Sequence, residues 1–163
     1  MLILLPPSEG KTRPTTGPPL DLAALSSPRL NRVREQLLNS LVRLSGTKRA
    51  ADILGLGPNQ AEDIGHNTQL WSSPTDRADH IYTGVLFGEL DVSTLDAPAR
   101  ARADSRLAIA SSLFGLVLPD DQIPAYRMSG SVSLPRLGTV SGRWKPVIPS
   151  AITDLAEQSG GNL

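Results

Sequence analysis

The sequence contains no cysteine, and this absence excludes several kinds of chemistry. None of the 163 residues can form a disulfide, bind a metal through a thiolate or carry out thiol-based redox reactions. Aromatic residues are also scarce, at 4%, so a core has to consist mainly of Leu, Val, Ile and Ala. No apolar run reaches the roughly 18 residues that a membrane-spanning helix needs. These absences lead us to expect a cytoplasmic protein without membrane partners.

Positively and negatively charged residues are equal in number. Lys and Arg together number 16, as do Asp and Glu, so net charge alone does not indicate a polyanion-binding protein. The chain is 39% hydrophobic, which is enough for a core, and its 14 Gly and 14 Pro predict many loops. We predict a single domain over residues 1–163 of mixed α/β class, in which helices flank a central sheet.

The first strand is predicted over residues 2–5, a short and continuously apolar run. Such a run is typical of a strand that is buried on both faces. Two prolines end it, and Ser8, Glu9 and Lys11 follow directly. Because binding groups of α/β proteins lie just past the carboxyl ends of strands, we take these three residues as candidates for a functional cleft.

The same segment carries part of a phosphate-binding loop, and its spacing argues against that interpretation. Gly10, Lys11 and Thr12 match the end of the P-loop pattern, but Leu5 stands where the first glycine is required. Prolines and threonines follow instead of the helix whose N-terminus would face the phosphate. An ordinary surface loop after a strand therefore stays as the alternative to a binding segment.

A second buried strand is predicted over residues 107–111, and it too leads into polar side chains. If it runs parallel to the first strand and beside it, Ser111 and Ser112 gather at the same sheet edge as Lys11. A following loop could add further polar groups. The predicted cleft residues are Ser8, Glu9, Lys11, Tyr82, Ser111, Tyr126 and Arg127. Ordinary structural roles, such as an ion pair of Arg127 with Asp120 or Asp121, are the alternative.

The clearest helix is predicted over residues 29–44. Its Leu and Val residues recur at steps of three and four and form one apolar stripe. Four arginines lie mainly off this stripe, and we expect them to form a solvated face: Arg29, Arg32, Arg34 and Arg43.

Residues 47–70 predict a helical hairpin of a kind that binds DNA. Two helices, over residues 48–54 and 59–70, are separated by a Gly-x-Gly turn that would let backbone amides approach a phosphate. A plain hairpin without DNA contact is the alternative. The residues predicted to contact DNA are Lys48, Arg49, Gly55, Gly57, Asn59 and Gln60.

The remaining elements are predicted from caps and periodicity. They are helices over residues 76–90, 97–104 and 149–158, and a strand over residues 129–134. Asn162 and Leu163 look like the start of a further strand, so we expect the chain to be a piece of a longer protein. The two histidines, His66 and His80, have no spacing typical of ligands, so no metal and no cofactor is predicted.

Three motifs resemble those of the YaaA-type peroxide stress proteins. The first runs from Pro6 to Thr12, and the second is Tyr82-Thr83-Gly84. The third begins at Ser111 and Ser112, includes Gly115 and Pro119, and ends with Tyr126, Arg127 and Gly130; Trp144 follows. Leu118 stands where this family often has arginine, which would remove a phosphate-type contact.

The resemblance implies a cytoplasmic protein that limits iron-driven damage during peroxide stress. It also implies a mixed α/β fold with a helix-hairpin-helix-like element and non-specific binding to double-stranded DNA. The residues themselves leave a second function open, which is an enzyme acting on a phosphorylated or nucleobase-containing small molecule. In that case Lys11 and Arg127 would hold an anion, Glu9 would be the base and Tyr82 or Tyr126 the proton donor.

Overall fold

The computed structural model describes residues 1–160 and has the predicted mixed α/β class. More of the described residues lie in helices than in strands, and the strands are short. The helices are α1 (Asn31–Ser45), α2 (Ala50–Leu54), α3 (Ala61–Asn67), α4 (Ala78–Ile81), α5 (Val85–Leu90), α6 (Ala97–Arg106), α7 (Val140–Trp144) and α8 (Ile148–Gln158). The strands are β1 (Ile3–Leu5), β2 (Asp76–Arg77), β3 (Leu107–Ser111), β4 (Gly115–Val117), β5 (Gln122–Ile123), β6 (Ser133–Leu134) and β7 (Gly138–Thr139).

The main sheet has three strands in the order β1-β3-β4. β1 and β3 are parallel, with Leu5 opposite Ile109, as required for their polar ends to meet. β3 and β4 form a tight antiparallel pair, and two further two-stranded sheets, β2-β5 and β6-β7, lie outside this sheet. The two predicted strands therefore do lie side by side, and they position the site described below.

The prediction that β1 is buried on both faces was wrong. Ile3 and Leu4 are 40% and 45% exposed, whereas β3 is buried almost throughout. β1 lies at an edge of the sheet, and β3 is its only strand neighbour within the described residues. A short apolar run cannot tell a central strand from an edge strand, because the difference lies in what packs on it from elsewhere.

The long helix predicted over residues 76–90 was also wrong. The chain forms β2 and α4, passes through Tyr82 in an extended conformation, and forms α5 only after Gly84. Gly84 has φ = +106°, a conformation that other residues rarely adopt, so the helix cannot continue through it. This interruption matters for the site because it turns Tyr82 into the core.

The apolar stripe predicted for α1 is buried in the structure, as expected. One of the four arginines predicted to be solvated, Arg34, is buried as well. Arg34 is completely buried. Its guanidinium donates to the backbone carbonyls of Phe114, Leu116 and Ser26, at 2.9, 2.7 and 2.8 Å, and also to the side chain of Asn31. Burial lowers the pKa of Arg34 to about 10 against the opposing influence of Asp121. Arg34 therefore joins α1 to the loop between β3 and β4 and to β4 itself.

The hairpin region has the predicted order of helix, glycine turn and helix. α2 ends at Gly55, which has φ = +65°, and a 3-10 turn (Pro58–Gln60) leads into α3. The backbone N–H of Gly57 donates to the side chain of Gln60 at 3.0 Å. Whether this hairpin binds DNA stays a prediction.

The later elements match the sequence in outline. α6 and α8 are close to the helices predicted over residues 97–104 and 149–158, and β6 is a short version of the strand predicted over residues 129–134. The strand start predicted at Asn162 and Leu163 lies outside the described residues. None of the helices in residues 1–160 combines the length and the apolar character that crossing a membrane requires.

Candidate functional site

The predicted cleft residues converge at the carboxyl ends of β1 and β3. The loop after β1 is held against the segment after α4, where Thr12 N donates to Ile81 O at 2.8 Å and Thr83 N donates to Gly10 O at 3.1 Å. A Cβ atom on Gly10 would lie 2.6 Å from Thr83 Oγ1, so the close approach of these two segments depends on glycine. This pairing brings Lys11 beside Tyr82.

Four hydroxyl groups, of which those of Tyr82, Ser111 and Tyr126 belong to buried residues, form a cluster behind Lys11. Tyr82 Oη lies 2.8 Å from Ser111 Oγ and 3.0 Å from Tyr126 Oη, and Ser111 Oγ lies 2.9 Å from Tyr126 Oη. Ser112 Oγ completes the cluster, at 3.2 Å from Tyr126 Oη and 2.7 Å from Met128 O. We call these four residues (Tyr82, Ser111, Ser112 and Tyr126) the hydroxyl cluster.

Lys11 places its positive charge over the rings of both tyrosines. Its Nζ atom lies 4.3 Å from the ring centroid of Tyr126 and 5.3 Å from that of Tyr82. It donates to the backbone carbonyls of Ser8 and Glu9, at 3.0 and 3.3 Å. Burial lowers the pKa of Lys11, and the nearby Arg127 acts in the same direction, while Tyr126 and Glu9 oppose them. The ammonium is therefore partly desolvated and lacks a carboxylate in direct contact among the described residues.

Arg127 provides the second cation of the cleft. Its guanidinium contacts the carbonyl oxygen of Glu9 at 3.2 Å and the Glu9 carboxylate at 3.4 Å, rather than Asp120 or Asp121. The Glu9 side chain is 77% exposed, so this ion pair is weak. Arg127 is accordingly available to an anion that enters the cleft.

Two residues that were not among the predicted cleft residues hold this arrangement in place. The buried Asn67 side chain donates to Arg127 O at 2.8 Å and accepts from Arg127 N at 3.0 Å, which fixes the backbone of Arg127. Trp144 Nε1 donates to the carbonyl oxygen of Ser112 at 2.7 Å. An Asn at the end of a helix carries no sequence signal for such a role, because its partner lies 60 residues away along the chain.

The cleft itself has a volume of about 430 Å³. We call it the strand-end cleft. Ser8, Glu9, Lys11, Ser112 and Arg127 line one side, and the end of α2 with its glycine turn lines another. Asp52 adds a second carboxylate to the lining. The strand-end cleft thus combines two cations, two carboxylates and hydroxyl groups around one opening.

The predicted DNA-contact residues lie on the neighbouring hairpin. Lys48 and Arg49 are exposed just before α2, and Gly55, Gly57 and Asn59 are exposed around the turn. Several amides of the turn already donate inside the hairpin: Gly55 N to Asp52 O, Leu56 N to Ala51 O and Gln60 N to Gly57 O. Fewer amides are therefore free for a phosphate than the sequence suggested.

A second groove borders the hairpin and is lined by arginines. It has a volume of about 580 Å³ and lies between the end of α1, the start of α2 and the turn joining β6 to β7. Arg43, Arg49 and Arg136 line it, and its described lining includes no Asp or Glu. We call it the arginine groove. None of its three arginines forms an ion pair within residues 1–160.

Comparison with known proteins places these features in a family. The family model described as peroxide stress protein YaaA matches residues 1–162. The chain belongs to the YaaA peroxide stress protein family. The motif at Lys11 lines the strand-end cleft, and the motifs at Tyr82 and Tyr126 contribute to the hydroxyl cluster behind it.

Similar proteins occur in actinobacteria under the name UPF0246 protein. One from Streptomyces coelicolor is 41% identical over 158 residues, which is 96% of this chain and 61% of that protein. One from Corynebacterium efficiens is 44% identical over 161 residues, or 96% of this chain and 64% of the relative. One from Corynebacterium glutamicum is 40% identical over 159 residues, or 95% and 63%. The chain thus spans less than two thirds of the length of these relatives.

Proposed function

We propose that the protein acts in the peroxide stress response in the cytoplasm by binding double-stranded DNA without sequence preference. Membership of the YaaA family supports the connection to peroxide stress. Bound along the duplex, the protein would limit iron-driven damage to DNA. The observation that carries the DNA-binding part is the arginine groove, where Arg43, Arg49 and Arg136 face an opening whose described lining has no carboxylate.

The groove suits a nucleic-acid backbone better than it suits a single small anion. Guanidinium groups bind phosphate oxygens through two parallel N–H donors, and three of them spread along a groove can follow successive phosphates. Lys48, next to Arg49, extends the positive surface towards the hairpin. Contacts of this kind position a protein on DNA and carry no sequence information.

Removing two arginines of the groove is expected to weaken DNA binding and its dependence on salt. Each lost phosphate contact lowers the slope of log affinity against log salt by about one, so Arg43→Gln with Arg49→Gln should reduce it by about two. The measurement is the affinity for two unrelated 20-base-pair duplexes over a series of salt concentrations.

The matched control is Arg102→Gln with Arg106→Gln, which removes the same charge from exposed positions of α6. It should change the slope much less. Equal slopes for the groove variant and the control would refute the groove as the DNA site. Wild-type affinity that does not fall as salt rises would refute the DNA-binding proposal as a whole.

A second candidate function is an enzyme that acts on a nucleotide or another nucleobase-containing small molecule in the strand-end cleft. The specific observation in its favour is the convergence of Lys11 and Arg127 on one opening, with the hydroxyl cluster behind them. Two cations at the mouth suit a phosphate group, and buried hydroxyl groups suit proton transfer.

Nucleotides are expected to raise the melting temperature of the protein if this second candidate is correct, since a ligand that binds only the folded state stabilises it. We expect AMP to have this effect and adenosine to have much less. Lys11→Met and Arg127→Gln should abolish the shift, and Lys145→Gln, at an exposed position far along the chain, should leave it unchanged. A panel of nucleotides that gives no shift in the wild type would refute the candidate.

A further inference from the structure

We infer that Tyr126 acts as a phenolate base, with Ser112 as its proton relay, towards an anionic ligand that carries an ionisable O–H or N–H in the strand-end cleft. The inference rests on the second candidate function, because it assumes that the cleft binds a ligand. It changes the roles expected from the sequence, where Glu9 was the base and a tyrosine the proton donor. The reason is the way in which the hydroxyl cluster surrounds the oxygen of Tyr126.

The Tyr126 oxygen is surrounded by groups that can donate hydrogen bonds. Ser111 Oγ, Tyr82 Oη and Ser112 Oγ lie 2.9, 3.0 and 3.2 Å from Tyr126 Oη. Ser111 can donate to this oxygen directly, whereas Ser112 also donates to Met128 O at 2.7 Å and Tyr82 to Ser111 Oγ at 2.8 Å. When the Tyr126 oxygen is ionised, all three hydroxyl groups can turn their protons towards it. A neutral Tyr126 has to direct its own proton at one of these neighbours. Because hydrogen bonds to a charged oxygen are roughly twice as strong as neutral ones, the surroundings favour the phenolate.

Lys11 supplies the compensating charge. Its ammonium lies 4.3 Å from the ring centroid of Tyr126 and is itself shielded from solvent. Burial raises the pKa of Tyr126, but the Lys11 charge and the hydrogen bonds from Ser111, Ser112 and Tyr82 outweigh it, so that the pKa is lowered from its ordinary value. An ammonium held against the ring of a phenol favours the ionised form of that phenol.

Tyr82 behaves in the opposite way. Burial, followed by the neighbouring Tyr126, raises the pKa of Tyr82 well above its ordinary value. Tyr82 therefore keeps its proton and stays a donor to Tyr126 or Ser111. The two tyrosines therefore differ in role: as pH rises Tyr126 ionises before Tyr82, so Tyr126 is the one that can take up a proton.

The other charged groups around Tyr126 lie at the edge of a neighbouring cavity. Arg127, Arg13, Glu9, Asp63 and His66 line it together with Tyr126. Asp63 and the neighbouring Glu62 are paired with Arg13, and Glu9 is paired with Arg127. Burial, followed by Arg13, lowers the pKa of His66, which disfavours a positive charge on this ring. Lys11 is therefore the cation that acts on Tyr126 most directly.

Ser112 connects this buried base to the ligand. Its hydroxyl lines the strand-end cleft and can donate its proton either to Met128 O or to Tyr126 Oη, so the relay requires the proton to turn from Met128 O to Tyr126 Oη. A ligand proton moves to Ser112 Oγ while the proton of Ser112 moves to Tyr126 Oη. The ligand is left as its conjugate base beside Lys11 and Arg127, and Tyr126 becomes neutral. Only O–H or N–H bonds break and form, and the reverse transfer restores the phenolate.

The composition of the chain makes the ionisation directly measurable, since Tyr82 and Tyr126 are its two tyrosines. Tyrosinate absorbance near 295 nm should rise in two separate steps as pH increases. The first step should lie below the ordinary tyrosine pKa of about 10, and the second well above it. Two steps that coincide at about 10 or higher would overturn the inference.

Single substitutions show which tyrosine gives rise to each of the two absorbance steps. Tyr126→Phe should abolish the low step, whereas Tyr82→Phe should abolish the high step and keep the low one. Lys11→Met should move the low step upward by about one pH unit or more. Ser112→Ala should also move it upward, while Ser129→Ala, which lines the same cleft, should not. Lys11→Met and Tyr82→Phe test the assignment even if Tyr126→Phe does not fold, and a low step that survives Tyr126→Phe or is unmoved by Lys11→Met overturns it.

Inorganic phosphate serves as the ligand probe. At the midpoint of the low step and constant pH, phosphate should reduce tyrosinate absorbance, because the bound anion and its proton favour neutral Tyr126. Chloride at equal ionic strength should not, and Arg127→Gln should weaken the effect. If phosphate raises the melting temperature without reducing the absorbance, the base role is wrong while the cleft stays a ligand site. If phosphate and nucleotides change neither the melting temperature nor the tyrosinate absorbance, both the inference and the second candidate function fail. The DNA-binding proposal is unaffected by that result.

Discussion

Replacing Arg34 with alanine is expected to lower the free energy of unfolding by about 3 to 5 kcal/mol. The reason is that the guanidinium donates to three backbone carbonyls in the interior, those of Ser26, Phe114 and Leu116. Without it these carbonyls lose their donors, and a buried cavity remains beside α1. Urea unfolding followed by circular dichroism measures the change.

The matched control for this variant is Arg32→Ala, on the same helix but exposed. It should change stability by no more than about 0.5 kcal/mol. Should Arg34→Ala prove as mild as the control, the guanidinium would not be the link between α1 and β4 that its contacts indicate. The pair separates the effect of a buried donor from that of a lost positive charge on α1.

Replacing Gly115 with alanine is expected to cost about 2 to 5 kcal/mol of stability. Gly115 has φ = +78°, which alone costs an alanine about 1 to 2 kcal/mol. A Cβ atom there would lie 2.9 Å from Cζ3 of Trp144, so overpacking adds about 1 to 3 kcal/mol. Thermal or urea unfolding gives the total, and tryptophan fluorescence reports the displaced ring.

Gly138→Ala separates the conformational cost from the cost of the contact with Trp144. Gly138 has almost the same φ, +79°, and no atom lies within 4 Å of the added Cβ. It should show the conformational cost alone. A Gly115 variant no less stable than the Gly138 variant would contradict the close contact with Trp144. Since Trp144 Nε1 donates to Ser112 O, the Gly115 variant should also disturb tyrosinate absorbance from the hydroxyl cluster.

Local signals located the segments of the site but not its geometry. The apolar run before Pro6 and the run at residues 107–111 marked two strands, and the polar residues after them marked the edge where Lys11 and Ser111 meet. That these strands are parallel neighbours could only be assumed from the sequence. The register of Leu5 opposite Ile109 is what brings the two loops together.

Tyr82 illustrates where local reasoning fails. Periodicity and a cap predicted a single helix over residues 76–90, which includes Tyr82. In such a helix the direction of the Tyr82 ring would follow from the 3.6-residue repeat alone. Pairing of Lys11 with Tyr82 across two loops, together with the φ of Gly84, breaks that helix and turns the ring onto Ser111. Interactions between distant segments thus overrode a helix propensity that is weak per residue.

Arg34 and Asn67 show the same limit for polar side chains. An arginine off an apolar stripe is usually solvated, and nothing near Arg34 in the chain shows that carbonyls 80 and 82 residues away will take its protons. Asn67 likewise gains its role from Arg127, 60 residues further on. A buried polar group is stable only where partners satisfy it, and such partners come from the fold.

The sequence by itself determined the mixed α/β class, the family, the two strands and several of the residues that line the strand-end cleft. These features depend on local composition, on the short apolar runs and on motifs that can be recognised without coordinates. Tertiary structure alone decided that β1 lies at an edge, that Arg34 is buried and that Tyr126 rather than Tyr82 lies between Lys11 and Ser112. Each of these depends on contacts between segments far apart in the chain, which no local pattern encodes.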